Sequence, residues 1–121
     1  MGKKIVAVDD NVENLTALKN TLKNSYEAFP CPSAAKMFNI LEHIKPDIIL
    51  LDVEMPEMNG YEAISKLKSD DKYKEIPVIF LTSMNDEESK KKGFSLGAID
   101  YIYKPFESTT LLQLLETHLS S

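Results

Sequence analysis

Four stretches of this sequence end an apolar run on residues that can do chemistry: Asp9 and Asp10 after Lys3 to Val8, Asp52 after Ile48 to Leu51, Thr82 after Ile76 to Leu81, and Lys104 after Ile99 to Tyr103. Gathered at one place, three carboxylates repel one another by several kcal/mol at about 4 Å and intermediate dielectric, so they share protons or share a cation. A hard divalent ion is the economical solution. With oxygen donors alone the expected ion is Mg²⁺, held by Asp10, Asp52 and a loop carbonyl such as that of Glu54, with Asp9 acting through a bound water. A carboxylate beside such an ion and a lysine can attack a phosphoryl group to form an acyl phosphate, which makes Asp52 the candidate nucleophile. The metal and Lys104 would neutralise charge on the phosphoryl oxygens, and the Thr82 hydroxyl would donate a hydrogen bond to one of them.

Whether these residues meet depends on the elements that carry them. The unbroken run Ile48-Ile49-Leu50-Leu51 reads as a strand covered on both faces, as at the centre of a parallel sheet. Ligand crevices of open α/β sheets lie beyond the carboxyl ends of the strands, which is where Asp52 stands. The loop Val53-Glu54-Met55-Pro56-Glu57-Met58-Asn59-Gly60 carries turn residues and no apolar period, so it reads as exposed and site-forming.

Asp9-Asp10-Asn11 combines a strand end with helix-capping types, and Val12, Leu15, Leu18 and Leu22 follow at helical spacing. Tyr26 to Phe29 reads as a short edge strand closed by Pro30 and Pro32. Ser33 caps a second helix with Met37, Phe38, Leu41 and Ile44 as its apolar stripe, ended by Lys45-Pro46. Asn59-Gly60 opens a third helix, with Tyr61, Ile64 and Leu67 facing inward. Asn85 with Glu88 resembles the capping box of a fourth, along which Asp86, Glu87 and Glu88 each precede a lysine by four residues. Gly93 marks that helix as adaptable, and Gly97 stops it. Ser108 to Leu119 is the last helix. The alternation of five strands with five helices argues for a parallel sheet with helices on both faces.

At 121 residues the chain fits one domain that buries roughly two-thirds of its unfolded surface, so residues 1–121 are expected to form a single unit. The hydrophobic share of 43% and charged share of 27% exclude disordered and fibrous classes. A net charge of -5 argues against nucleic acid as a partner. All 14 basic residues are lysine, which removes the side chain best suited to bidentate phosphate recognition and leaves phosphate chemistry to metal or lysine. Cys31 is the only cysteine, so no internal disulfide forms; it reads as a buried thiol in a reducing compartment. No apolar run has the length of a membrane span, and Met1-Gly2-Lys3-Lys4 leads into a strand rather than a signal peptide. The expected location is the cytoplasm, with no effector domain after the fifth helix.

Taken together, Val8-Asp9-Asp10-Asn11, Leu51-Asp52-Val53-Glu54-Met55-Pro56-Glu57-Met58-Asn59-Gly60, Leu81-Thr82-Ser83 and Gly97-Ala98-Ile99-Asp100-Tyr101-Ile102-Tyr103-Lys104-Pro105-Phe106 resemble the receiver domains of two-component response regulators, in family order and spacing over essentially the whole chain. The resemblance implies a flavodoxin-like doubly wound sheet of order 2-1-3-4-5, an order taken from the family rather than read from spacing. It implies that Asp52 accepts a phosphoryl group from a histidine kinase or phosphotransfer protein, and that Asp9 and Asp10 hold Mg²⁺. It also implies that Thr82 and Tyr101 form a switch pair altering the surface of the fourth helix, fifth strand and fifth helix for an output partner. Lys104-Pro105 resembles the family's cis peptide. Glu54 and Met84 match positions that tune the lifetime of the phosphoryl group.

Each residue also has a plain structural role available: Asp9, Asp10 and Asn11 as helix caps, Lys104 as a surface lysine, Thr82 as a strand-end hydroxyl, Tyr101 as a core aromatic. Their joint occurrence is what those roles leave unexplained. His43 and His118 read as surface residues, and the Tyr61 and Tyr103 rings as packing. The competing class is a small Mg²⁺-dependent phosphohydrolase of the haloacid dehalogenase type with an aspartyl-phosphate intermediate. That family places a second aspartate two residues after the nucleophile, where this chain has Glu54.

Overall fold

The run Ile48–Asp52 forms strand β3, buried along its whole length, and the sheet is built outward from it. The computed structural model describes residues 2–120; Met1 and Ser121, the two ends of the expected domain, lie outside the described residues. β1 (Lys4–Val8), α1 (Val12–Leu22), β2 (Glu27–Cys31) and α2 (Ala34–Leu41) precede β3. After it come α3 (Gly60–Lys68), β4 (Val78–Thr82), α4 (Glu87–Leu96), β5 (Asp100–Tyr103) and α5 (Ser108–Leu119). The strands pair in parallel in the order β2-β1-β3-β4-β5, a flavodoxin-like doubly wound sheet.

Alternate side chains of the central strands point to opposite faces, so each strand feeds two cores. Val6, Val8, Ile49, Leu51, Val78 and Phe80 pack with Met37, Leu41, Ala63, Ile64 and Leu67 of α2 and α3. Ile5, Ala7, Ile48, Leu50, Ile79 and Leu81 pack with Leu18 and Leu22 of α1 and with Leu111, Leu115 and Leu119 of α5. Burial on both sides is why these strands are apolar without alternation.

Several boundaries differ from the sequence expectation, each for a local reason. β2 runs through Pro30 instead of stopping before it. The Glu27 N–H donates to the Lys3 carbonyl and the Cys31 carbonyl accepts from Asp9, so the odd-numbered residues bond to β1. Pro30 therefore turns its nitrogen to the open edge, where no donor is needed. α2 ends at Leu41, and Ile44 packs on the core from the turn that follows. Val12 is 74% exposed and does not join the buried stripe of α1. Asp86, not Asn85, caps α4 by accepting from the Ser89 N–H. Of the lysines on α4, Lys90 approaches Glu87 at 3.9 Å three residues back, while Lys92 lies over the Tyr61 ring and Lys90 over the Tyr103 ring. Gly97, at φ 118°, ends α4 in the left-handed region.

The capping box that opens α3 is formed by Asn59 and Glu62, each accepting from the other's backbone N–H. Gly60 donates to the Val53 carbonyl at 2.9 Å, closing the loop beneath the end of β3. A Cβ at Gly60 would lie 2.5 Å from the Asp52 carbonyl oxygen and 2.8 Å from the Val53 Cα, both backbone atoms that cannot swing aside. Gly60→Ala is therefore expected to lower the unfolding free energy by about 1–3 kcal/mol through overpacking, despite alanine's better helix propensity. Urea denaturation measures the loss, and an unchanged midpoint would show that the loop is not held this tightly.

Candidate functional site

Strand ends deliver the site residues to one edge of the sheet. Asp9 follows β1, and its Oδ1 accepts the Asn11 N–H at 3.0 Å. Asn11 in turn caps α1 by accepting from Asn14 at 2.9 Å. The capping role thus falls to Asn11 and leaves Asp9 and Asp10 to the site. Asp52 closes β3, and its Oδ1 accepts the Glu54 N–H at 3.2 Å. Lys104 follows β5; its N–H donates to the Thr82 carbonyl at 2.9 Å, and the Lys104–Pro105 peptide bond is cis.

The Lys104 ammonium stands 3.0 Å from Asp52 Oδ1 and 2.9 Å from Asp9 Oδ2. Both contacts are ion pairs, and Asp52 Oδ2 is buried with no hydrogen-bond partner. Asp9 and Asp52 are fully buried while Asp10 is exposed, yet ligand oxygens of all three lie within 4.8 Å of one another. Three carboxylates against one ammonium leave negative charge uncompensated. Burial and the neighbouring Asp9 push the Asp52 carboxyl up to about 7, against the downward pull of Lys104 and the Glu54 N–H. Burial works against the Lys104 charge, but its two carboxylate partners outweigh it and hold that ammonium above its ordinary range.

An all-oxygen cluster with an unpartnered buried oxygen and excess negative charge fits a hard divalent cation such as Mg²⁺. Thr82 is buried at the end of β4, and its Oγ1 accepts from the Met84 N–H at 3.0 Å, which leaves its own proton free to donate. The Glu54 carboxylate turns away from Asp52 and accepts from the Ser83 Oγ at 2.9 Å and the Ser83 N–H at 3.4 Å. The sequence gives Ser83 no role of its own; a hydroxyl directly after Thr82 is the one available signal.

Tyr101 lies beneath α4, its hydroxyl donating to the Ser89 carbonyl at 2.9 Å and the Lys90 carbonyl at 3.3 Å. Its ring packs against Phe80 and Phe94. Tyr61 reaches the same Ser89 carbonyl at 3.4 Å, and Tyr103 stacks on Tyr101, so both rings are packing elements around it. His43 is exposed. His118 is not a free surface residue: its Nε2 lies 2.9 Å from Asp100 Oδ2, and Asp100 Oδ1 accepts the Tyr101 N–H at 2.8 Å. Residues 18 apart in sequence meet there because α5 packs back along β5, which no local pattern announces. Cys31 is a buried free thiol, pushed up to about 11 by burial.

Comparison with known proteins places this geometry. The family described as response regulator receiver domain matches residues 5–116. A probable cyclic di-GMP phosphodiesterase of Vibrio cholerae is 38% identical over 117 residues; the match covers 97% of this chain and 26% of that protein, so the chain spans about a quarter of that relative's length. The chemotaxis protein CheY4 of Vibrio cholerae superposes with a TM-score of 0.93 at 30% identity, over 98% of this chain and 100% of that one. The receiver domain of the sensor histidine kinase PA1611 from Pseudomonas aeruginosa, solved with a magnesium ion in its active site cleft, superposes with a TM-score of 0.89 at 25% identity, over 100% of both chains.

The buried negative charge can be measured through stability. An unfolded aspartate titrates at about 3.9, and the folded Asp52 at about 7, so the native state binds this proton more tightly than the unfolded chain does. The ionised carboxylate then opposes folding fully above about pH 7 and not at all below about pH 4. Asp52→Asn, in metal-free buffer, is expected to raise the unfolding free energy at pH 8 by on the order of 2 kcal/mol. The gain should shrink as the pH is lowered through that window, and a pH-independent difference in thermal melts would contradict the assignment.

Proposed function

The chain belongs to the response regulator receiver domain family, a phosphoacceptor of two-component signalling, and on that premise we propose that Asp52 is the residue that receives the phosphoryl group. The observation that carries this reading is the state of the Asp52 carboxylate. Its Oδ1 is fixed by the Lys104 ammonium and the Glu54 N–H, while Oδ2 is buried and without a partner. One oxygen is oriented by charge and hydrogen bond, and the other is left to attack.

In the transfer, Asp52 Oδ2 bonds to phosphorus as the phosphorus–nitrogen bond of a donor phosphohistidine breaks. The bonding pair returns to the imidazole nitrogen, which takes up a proton, and an acyl phosphate remains on Asp52. Lys104 offsets negative charge on the transferring group, and Thr82 turns its free proton toward a phosphoryl oxygen. Asp9, Asp10, Asp52 and the backbone carbonyl of Glu54 would hold Mg²⁺, supported by the clustered carboxylates. When bound, the ion neutralises phosphoryl charge.

Residues 1–121 act on this reading as one receiver domain, a switch that assists its own phosphorylation and dephosphorylation rather than turning over an external substrate. Its partners are a histidine kinase or phosphotransfer protein and an output protein or domain. Thr82 and Tyr101 are the switch pair, and the face of α4, β5 and α5 is the surface they alter. Among the described residues no helix is long and apolar enough to cross a membrane, which supports a cytoplasmic location. The phosphohydrolase reading is not favoured: Glu54 stands where its second aspartate would be, and its carboxylate is engaged with Ser83 instead.

Intact mass after incubation with acetyl phosphate tests the assignment. Wild type with Mg²⁺ is expected to gain a single phosphoryl group, with a loss of labelling in chelator and in Asp52→Asn. Labelling of Asp52→Asn to wild-type stoichiometry would sink it.

A further inference from the structure

A glycine in the middle of a helix is disfavoured relative to alanine, and α4 carries one at Gly93. Gly93 is also the only residue of α4 that is buried. What it faces is Tyr101. A Cβ at Gly93 would overlap the Tyr101 hydroxyl and lie 2.7 Å from Cζ and 3.0 Å from the Phe80 Cδ2. The same hydroxyl makes its two hydrogen bonds to carbonyls of the adjoining turn, at Ser89 and Lys90. The phenol is 8% exposed, wedged between the Phe80 ring at 5.6 Å and the Phe94 ring at 5.2 Å.

The obstacle to a side chain at position 93 thus differs from that at Gly60. There the neighbours are backbone; here the two nearest atoms are the far end of a tyrosine that can turn about χ1 to another staggered position, and the third, the edge of the Phe80 ring at 3.0 Å, need give by only a few tenths of an ångström. A methyl group at 93 would not break the fold but would evict the ring. We propose that Gly93 sets the rotamer of Tyr101: its missing side chain is the seat that admits the ring beneath α4 and keeps the α4–β5–α5 face in the form with Tyr101 withdrawn. The inference rests on the reading of Tyr101 as the moving half of the switch. It explains why α4 tolerates a glycine that helix propensity disfavours.

The test is NMR of ¹³C-tyrosine-labelled protein, with Tyr101→Phe to assign the signal, on wild type and Gly93→Ala. In wild type the Tyr101 ring is expected to be protected and to titrate at about 12, where burial and the neighbouring Tyr61 and Tyr103 place it. In Gly93→Ala the ring should become solvent-accessible and titrate nearer the ordinary tyrosine value of about 10, with labelling by acetyl phosphate unchanged in stoichiometry. A Tyr101 that stays protected in Gly93→Ala overturns the proposal. Should that variant fail to fold, Gly93→Ala combined with Tyr101→Leu is the second arm. It should melt at or above the Tyr101→Leu parent, because alanine is the better helix former once the tyrosine is gone; a lower melting temperature overturns the proposal. Beryllofluoride with Mg²⁺ separates the two readings. Its drawing the exposed ring of Gly93→Ala back inward supports both. An exposed ring that ignores it upholds the Gly93 seat and overturns the switching role of Tyr101.

Discussion

The Lys104 ammonium, set between the buried carboxylates of Asp9 and Asp52, is the contact on which the arrangement of the sheet edge depends. Removing two carboxylates from water without a counter-charge would cost several kcal/mol each, so neither could sit unexposed at the strand ends alone. Lys104 follows the outermost strand, β5, and must reach over the end of β4 to β3 and β1. Strands lie about 4.8 Å apart, so only a long side chain with a compact charge can bridge that span. The topology and the electrostatics therefore depend on each other: this strand order puts the lysine within reach, and the lysine makes the acidic edge tolerable.

One ammonium does not balance three carboxylates, and the remainder is the chemical resource of the site. Burial together with this excess charge raises the Asp52 carboxyl, Asp52 Oδ2 has no partner, and the clustered oxygens suit a hard cation. A buried carboxylate left this way costs stability locally, a pattern common where titratable groups are gathered for function. The surrounding loops limit the damage with short-range bonds: Asn11 caps α1, Glu54 ties the β3–α3 loop to Ser83, and Gly60 brings the start of α3 against the backbone of β3. A second group of contacts lies further along β5, where Tyr101 fills the space under α4 and Asp100 joins the Tyr101 backbone to His118 of α5. The acidic edge and the α4–β5–α5 face thus share one strand and the residues on either side of it.

Much of this was legible in residue order. Apolar runs without alternation marked β3 and β4 as central, and Asn59-Gly60 and Gly97 marked helix boundaries, because backbone preference and burial act over a few residues. The misreadings lie where a distant element decided. Pro30 continues β2 because an edge strand needs no donor on that side. Asp86 rather than Asn85 caps α4, a one-residue ambiguity that only the path of the chain resolves. Lys90 and Lys92 of α4 lie over aromatic rings contributed by β5 and α3 rather than pairing at four-residue spacing.

The sequence by itself determined the ten elements, the family they resemble, and which carboxylate, hydroxyl and ammonium side chains stand at strand ends. Those follow from periodicity, capping types and residue chemistry, all properties of near neighbours along the chain. Only the tertiary structure decided that Lys104 meets both Asp9 and Asp52, that Asp52 keeps one oxygen free, and that Gly93 faces the Tyr101 hydroxyl. Each of these depends on ångström-scale distances between residues far apart in sequence, and such distances are set by the packing of the whole fold.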